Sequence, residues 1–208
     1  MVAADLDQVS AQFVKAFLRE PLGGWMGVTK TEGDYIASTA IPDKVSFVVV
    51  DTRRPKGADI IAFRASKLLY RAEMEEIAAT PPTDHPVPAI LDHLMLTWYK
   101  ESAIFKKNPN AKILKFMALG VNDEYEGMGL AKELLQASME KAKELQCDGV
   151  MVIATAFATQ HLFANRLHFD RVTQLRYEDY EFCGNGGRTY PFQGLQPEIV
   201  QVFEKKLY

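Results

Sequence analysis

Apolar positions recur at helical spacing in four parts of this chain. In the first, Val9, Phe13 and Phe17 fall on one face, and the helix is expected to stop before Pro21. In the third, Leu134 belongs to an inward-facing stripe that is typical of an amphipathic helix. The predicted helices are 7–19, 90–108, 127–145 and 157–166.

Runs of β-branched and other apolar residues predict six strands. The first two flank a turn and are expected to pair as an antiparallel hairpin. The third and fourth enclose the third helix, so this βαβ unit should hold them parallel. These elements predict an α/β (α+β) fold, with a mixed central sheet and helices on both faces, in a single domain over 1–208. The predicted strands are 45–51, 59–70, 112–121, 149–155, 172–182 and 198–207.

The connecting segments are rich in turn residues. The glycine-rich stretch 23–27 predicts a mobile segment, and the proline-rich stretch 80–88 predicts a loop. The basic cluster 53–56 (RRPK) is expected to be a solvated turn, and Cys183 is expected to lie in an exposed hairpin turn.

Composition excludes several classes of function. The formal net charge of −3 argues against a nucleic-acid partner, which would require a basic face. Cys147 and Cys183 have no CxxC partner, so neither a metal site nor a disulfide framework is expected. The polar start 1–8 does not resemble a signal peptide, and no apolar run is long enough to span a membrane. A cytoplasmic location without a membrane partner is expected, and the oligomeric state stays open.

The most informative segment is a glycine-bearing turn, 124–129 (EYEGMG), between the third strand and the helix that follows it. A Walker loop requires GxxxxGK[ST], and Leu130 directly after Gly129 excludes it. A dinucleotide fingerprint requires GxGxxG, and Lys132 stands where the third glycine should be. Neither of these phosphate-binding motifs therefore explains the turn.

A turn of this kind still suits an anion. The first backbone N–H groups of a helix have no intrahelical acceptors, and the positive end of the helix dipole lies behind them. A pyrophosphate fits there, and glycines keep side chains out of its way. The alternative is a helix N-terminus that only caps well. The segment 119–131 (LGVNDEYEGMGLA) resembles the acetyl-CoA loop of the GNAT superfamily of N-acetyltransferases, written [QR]xxGx[GA].

That resemblance implies acetyl-CoA as co-substrate and no metal. The position that the family fills with Gln or Arg is Glu124 here, so we expect some loss of affinity or compensation by Lys132 or another basic residue. The implied cofactor-binding residues are Leu119, Gly120, Val121, Glu124, Tyr125, Glu126, Gly127, Met128, Gly129, Leu130, Ala131 and Lys132.

Four segments extend the resemblance to the invertebrate arylalkylamine N-acetyltransferases, a GNAT branch that includes dopamine and serotonin acetyltransferases. Besides the turn, they are 19–22 (REPL), which resembles an (D/E)EPL element; His85-Pro86 with the helix after it and 105–109; and 166–169 (RLHF) followed by 177–180 (YEDY). The resemblance implies a primary amine as acceptor, and first of all a small arylalkylamine. It also implies Glu20 as general base, because the glutamate of the EPL element has that role in the branch.

The chemistry is consistent with these roles. A primary amine has a pKa of about 10 and is mostly protonated at neutral pH, so a carboxylate must accept its proton as the nitrogen attacks the thioester. A backbone N–H at the end of the third strand, that of Leu119, is expected to stabilise the tetrahedral oxyanion. We expect direct transfer in a ternary complex, with CoA leaving as the thiol.

The sequence departs from the family pattern at two places after the fourth strand. The branch places serines before its KLGF element, whereas 156–161 (AFATQH) contains none, and Ala164 stands where many GNAT enzymes have a tyrosine acid. Thr155, Thr159 and His161 are the candidates for the proton donor. The predicted substrate-binding residues are Trp25, Met26 and Thr155.

Two alternatives remain. The same fold could act on another acceptor, such as a polyamine, an amino acid or a protein amine. The missing serines and tyrosine, together with Glu124, also leave a non-catalytic CoA-binding protein open.

Overall fold

The computed structural model describes all 208 residues and contains eight α-helices and eight β-strands. In chain order they are α1 (Leu6–Phe17), α2 (Pro21–Met26), α3 (Lys30–Thr39), β1 (Phe47–Val50), β2 (Ile60–Leu69), α4 (Arg71–Ala79), α5 (Pro86–Glu101), α6 (Ala103–Lys107), β3 (Ile113–Val121), α7 (Leu130–Glu144), β4 (Gly149–Ala154), α8 (Phe157–His161), β5 (Asp170–Arg176), β6 (Phe182–Gly184), β7 (Gly187–Thr189) and β8 (Ile199–Lys206).

The chain forms two compact units. The first contains residues 1–68 and 114–147, and the second contains 69–113 and 148–208. The strand order is β1-β2-β3 in the first unit and β4-β8-β5 in the second. The single domain over 1–208 and the parallel pairing of the third and fourth strands stay predictions.

The first unit is built on the predicted hairpin. β1 and β2 pair antiparallel, with Phe47 opposite Arg64, which confirms that prediction. Apolar side chains of α1, α3, β2 and β3 form one buried cluster in which Val9, Ala37 and Phe63 are fully inaccessible. The helical pattern of α1 is therefore a core-packing pattern, because the face that carries Val9 is the face that it buries.

The prediction of a mobile glycine stretch at 23–27 is wrong, because the segment is helix α2. Pro21 occupies its first turn, where a fixed φ favours the helix and the missing N–H costs nothing. A Cβ on Gly23 would collide with the carbonyl oxygen of Phe17, so this glycine allows close approach to α1. Gly27 ends the helix in the left-handed conformation at φ 67°.

Two helices, α3 and α4, are not among the predicted elements. Polar residues dominate α3, and α4 buries only Met74, so apolar spacing gives little signal. For α3 a second signal exists, because the Thr29 N–H donates to Glu32 Oε2 at 2.8 Å and the Thr31 N–H donates to Thr29 Oγ1 at 3.3 Å. This is a capping box, and its T-x-x-E signature is visible in the sequence.

Three other boundaries differ from the predictions. The loop 80–88 is shorter, because α5 begins at Pro86. The predicted helix 90–108 is interrupted at Ser102, whose hydroxyl accepts from the Ile104 N–H at 3.2 Å and caps α6. The predicted strand 172–182 ends at Arg176, and the chain then forms the β6–β7 hairpin, which leaves Cys183 exposed as predicted.

The second unit contains a buried carboxylate. β4 and β5 both pair antiparallel with β8, whose Glu204 is only 2% exposed. Its oxygens accept from Trp98 Nε1 at 3.0 Å, Ser102 Oγ at 2.6 Å and the Ala103 N–H at 3.1 Å. These hydrogen bonds offset the cost of burying the charge and connect the α5–α6 junction to β8. No helix in either unit has the length and apolar character needed to cross a membrane.

Candidate active site

The predicted turn lies between the end of β3 and the start of α7, in the first unit. β3 ends at Val121, and the Asn122 N–H then donates to the Ile61 carbonyl of β2 at 2.8 Å. A single 3-10 turn, Asp123–Tyr125, follows, and α7 begins at Leu130. The strand–turn–helix order of the prediction is confirmed, although the helix starts three residues later than predicted.

Both glycines of the turn adopt a conformation that other residues rarely reach. Gly127 has φ 78° and Gly129 has φ 85°, and a Cβ at either position would meet nothing within 4 Å. The space above them is open, and the N–H groups of Leu130 and Ala131 belong to the first turn of α7, where no intrahelical acceptor exists. The backbone therefore offers an accessible, positively polarised surface that fits a pyrophosphate.

The carboxylates of the turn face cations from other elements. Arg19 donates to both Asp123 oxygens, at 3.0 and 2.7 Å, and Lys15 Nζ lies 3.0 Å from Asp123. Hydrogen bonds from Arg19 and then Lys15 lower the pKa of Asp123 to about 2. Arg54 Nη2 lies 3.4 Å from Glu124 Oε2. Cations of α1 and of the β1–β2 hairpin therefore lie within ion-pair distance of Asp123 and Glu124.

The tip of that hairpin is hydrogen-bonded to the turn. The Tyr125 hydroxyl donates to Asp51 Oδ2 at 2.7 Å. Asp51 also accepts two hydrogen bonds from the Arg53 guanidinium, and these hold the pKa of its carboxyl well below the usual range. Arg54 lies 5.8 Å from the centre of the Tyr125 ring. The hairpin tip and the turn therefore have a defined geometry relative to each other.

A small cleft of about 200 Å³ adjoins the turn. It brings the C-terminal half of α1 together with the strand end that carries the predicted oxyanion donor, Leu119. Glu20 directly follows a lining residue, Arg19, and is the half-buried N-cap of α2. The lining residues are Gln12, Lys15, Ala16, Arg19, Leu119, Gly120, Val121, Asp123 and Glu126.

The predicted substrate-binding residues have different environments. Trp25 is 42% exposed on α2, whereas Met26 packs partly against the apolar cluster of the first unit. Thr155 is half-buried directly after β4, in the second unit. Trp25 therefore offers an accessible aromatic surface, and Met26 contributes mainly to packing.

Sequence reasoning missed the cations around the turn. The basic cluster 53–56 is solvated only in part: Arg53 has 83% of its side chain exposed, whereas Arg54 has 30% and contacts the turn. Lys132, named as a possible compensating residue, is exposed on α7, and it is Arg54 that pairs with Glu124. The excess of carboxylates in the turn indicates that cations from elsewhere should pair with them. Spacing along the chain does not identify which cations lie close enough to do so.

Comparisons with known proteins agree with this geometry. The model of the acetyltransferase (GNAT) family matches residues 94–169, a segment that contains the whole turn. Among solved structures, arylalkylamine N-acetyltransferase 2 from Aedes aegypti has a TM-score of 0.75 at 20% identity, covering 100% of this chain and 97% of that one. Polyamine N-acetyltransferase from Drosophila melanogaster, which forms N-acetylagmatine, has a TM-score of 0.74 at 19% identity, with coverage of 100% and 97%. Mosquito arylalkylamine N-acetyltransferase-like 5b has a TM-score of 0.77 at 19% identity, with coverage of 99% and 97%.

The chain has the GNAT fold. The predicted fold class and the resemblance to the arylalkylamine branch are confirmed, and the GNAT family match supports an acetyl-CoA-dependent N-acetyltransferase. A search of the curated proteins finds no match. The TM-scores of 0.74–0.77 establish the shared fold. Identities of 19–20% do not assign the acceptor of any one neighbour to this chain.

Proposed function

We propose that this protein transfers the acetyl group of acetyl-CoA to a small primary amine, most simply an arylalkylamine, by direct attack in a ternary complex. The observation that carries the proposal is the open turn before α7. Its two left-handed glycines leave the first N–H groups of the helix accessible, in the segment that matches the acetyltransferase family model.

The turn and the strand before it would hold acetyl-CoA. Backbone N–H groups at the start of α7 suit the pyrophosphate, and the end of β3 suits the thioester, because Leu119, Gly120 and Val121 line the adjoining cleft. A backbone N–H aimed at the developing oxyanion contributes more in a confined site than in water, which is the role proposed for Leu119. The binding set comprises Leu119, Gly120, Val121 and residues 124–132.

Glu20 is proposed as the general base. Its position supports this role, since it follows Arg19 at the edge of the cleft and is half-buried. The carboxylate would accept the amine proton, directly or through a water, as the nitrogen attacks the acetyl carbon. The C–S bond then breaks and the thiolate takes up a proton. Thr155 is the residue proposed on the acceptor side, and Trp25 supplies an aromatic surface for the amine.

A polyamine-type acceptor is the second candidate. It is favoured by the structural neighbours, which include enzymes for agmatine as well as for arylalkylamines. An extended cationic amine would need carboxylates along its length, whereas an aromatic amine would need an apolar surface such as that of Trp25. The two candidates therefore predict different orders of preference in one panel of amines.

The first test is thiol release from acetyl-CoA with tyramine, dopamine, serotonin, spermidine and agmatine. We expect turnover with the aromatic amines and a fall in kcat of about 100-fold or more in Glu20→Gln, because general-base catalysis supplies about that factor. Glu140→Gln, on an exposed position of α7, is the matched control and should leave the rate unchanged.

The other outcomes are equally informative. An unchanged kcat in Glu20→Gln would support the acetyltransferase activity and reject Glu20 as its general base. Turnover confined to spermidine and agmatine would replace the arylalkylamine acceptor with a polyamine. Binding of acetyl-CoA without turnover on any amine would leave the non-catalytic alternative.

A further inference from the structure

The acetyl-CoA turn of this chain has an unusual charge. Three of its residues, Asp123, Glu124 and Glu126, carry carboxylates, and Glu124 stands where the resemblance would place Gln or Arg. Carboxylates beside a pyrophosphate repel it, and the attraction of backbone N–H groups must outweigh this repulsion. A cation from elsewhere in the first unit would remove the difficulty.

Two arginines reach the turn, and their hydrogen bonding differs. Arg19 uses both terminal nitrogens in a bidentate pair with Asp123, at 3.0 and 2.7 Å. Arg54 makes one long hydrogen bond, at 3.4 Å, to Glu124, whose side chain is 69% exposed. A guanidinium has five N–H donors, and Arg54 uses only one of them, in a long hydrogen bond, whereas both terminal nitrogens of Arg19 are held by Asp123.

Contacts with the turn hold the Arg54 side chain close to it. Asp51 accepts the Tyr125 hydroxyl at 2.7 Å, which holds the hairpin tip against the turn, and the guanidinium of Arg54 lies 5.8 Å from the Tyr125 ring. With 30% of its side chain exposed, Arg54 is partly ordered by these contacts and still accessible to a ligand. It is therefore a preorganised cation beside Glu124 and Tyr125 of the turn.

We propose that Arg54 binds a phosphate oxygen of the acetyl-CoA pyrophosphate, and so supplies from the β1–β2 hairpin the positive charge that the turn lacks. The planar guanidinium matches a phosphate better than a carboxylate held at 3.4 Å through one nitrogen. When acetyl-CoA binds, Arg54 turns from Glu124 toward the phosphate while keeping the Tyr125 ring beneath it. This inference rests on the proposed function.

The test is calorimetric titration of the purified protein with acetyl-CoA and with acetyl-dephospho-CoA, which lacks the 3′-phosphate. Arg54→Ala should raise the Kd of both ligands by about 10-fold, the loss expected for one charge-assisted hydrogen bond. Glu124→Gln should bind at least as tightly as the wild type, and the double variant Arg54→Ala/Glu124→Gln should stay weaker than Glu124→Gln. Lys30→Ala is the control, because Lys30 is an exposed cation paired with Asp34 on α3, and its Kd should be unchanged.

Each contrary result has a distinct meaning. An unchanged Kd in Arg54→Ala, with wild type binding normally, would overturn this inference and leave the proposed function intact. Full recovery in the double variant would show that Arg54 only screens Glu124 and binds no phosphate. An effect limited to acetyl-CoA would place Arg54 on the 3′-phosphate and overturn the pyrophosphate assignment. Folded wild type that binds neither ligand would overturn both proposals.

Discussion

Arg64 shows how far a single buried residue can depart from the rule that interior charges are paired. It lies on β2, is 4% exposed, and its Nε and Nη2 atoms have no hydrogen-bond partner. Its guanidinium stacks on the Phe116 ring at 3.9 Å. Burial lowers the pKa of Arg64 to about 9. Stacking on the ring offsets only part of the desolvation cost, so the charge is destabilising at neutral pH.

Arg64→Met should therefore stabilise the protein. The thioether side chain fills a similar volume without unsatisfied donors, so the free energy of unfolding at pH 7 should rise by roughly 1–3 kcal/mol. The folded pKa is lower than the unfolded value, so the wild type regains stability as pH rises through about 9 and its deficit against the variant should shrink. Urea titrations at pH 7 and pH 10 measure both effects.

Arg64→Ala is the companion variant for this prediction. It removes the same charge but leaves a cavity beside Phe116, so it should be less stable than Arg64→Met. A Met variant that is less stable than the wild type at pH 7 would contradict the argument, and would mean that the contact with Phe116 outweighs the burial of the charge.

At the scale of elements, the contact between α1 and the turn has the most direct consequence. The bidentate pair of Arg19 with Asp123 holds the residue before Glu20 against the end of β3. Asp123 has a pKa of about 2 when folded and about 3.8 when free, so its contribution to stability is fully present above the free value and disappears as pH falls through about 2. Both side chains are largely exposed, and solvent screens the effect.

Asp123→Asn should remove that pH dependence. Between pH 5 and pH 2 the urea midpoint of the wild type should fall more steeply than that of the variant, and the two curves should converge at the acidic end. Asp170→Asn, which removes an exposed carboxylate of β5, is the control and should follow the wild type. Parallel curves for wild type and Asp123→Asn would show that the pair contributes nothing to stability.

The same elements show what could be predicted from the sequence. The β1–β2 hairpin, β3, α7 and β4 follow directly from apolar runs, and the turn follows from its glycines, because these signals are local. For α2 the glycines predict a mobile stretch instead of a helix, because the close approach of Gly23 to Phe17 is a tertiary contact that local sequence does not report. The pairing of Arg54 with Glu124 spans 70 positions, and no local pattern reports it.

At the scale of the whole molecule, two of the boundaries between the units lie at strand ends. They fall between Leu68 and Leu69 in β2, and between Ile113 and Leu114 in β3. Independent domains are usually separated in exposed linkers that few contacts cross. Here the chain passes from one unit to the other at buried residues such as Leu69 and Ile113, and not in an exposed linker. We therefore propose that 1–208 is a single cooperative domain.

The two tryptophans make this proposal measurable, because Trp25 lies in the first unit and Trp98 in the second. In the variant Trp25→Phe the fluorescence comes from Trp98, which is fully buried and donates to Glu204.

Acetyl-CoA is proposed to bind in the first unit, and at about 100 times its Kd it should stabilise the folded state by about 2.7 kcal/mol. If the chain unfolds as one domain, the Trp98 transition in urea should shift by this full amount and coincide with the loss of helical circular dichroism. Two separately folding domains would instead give a Trp98 transition that acetyl-CoA does not shift, and a circular-dichroism transition in two steps. The reason is that a ligand stabilises only the structure that unfolds together with its binding site.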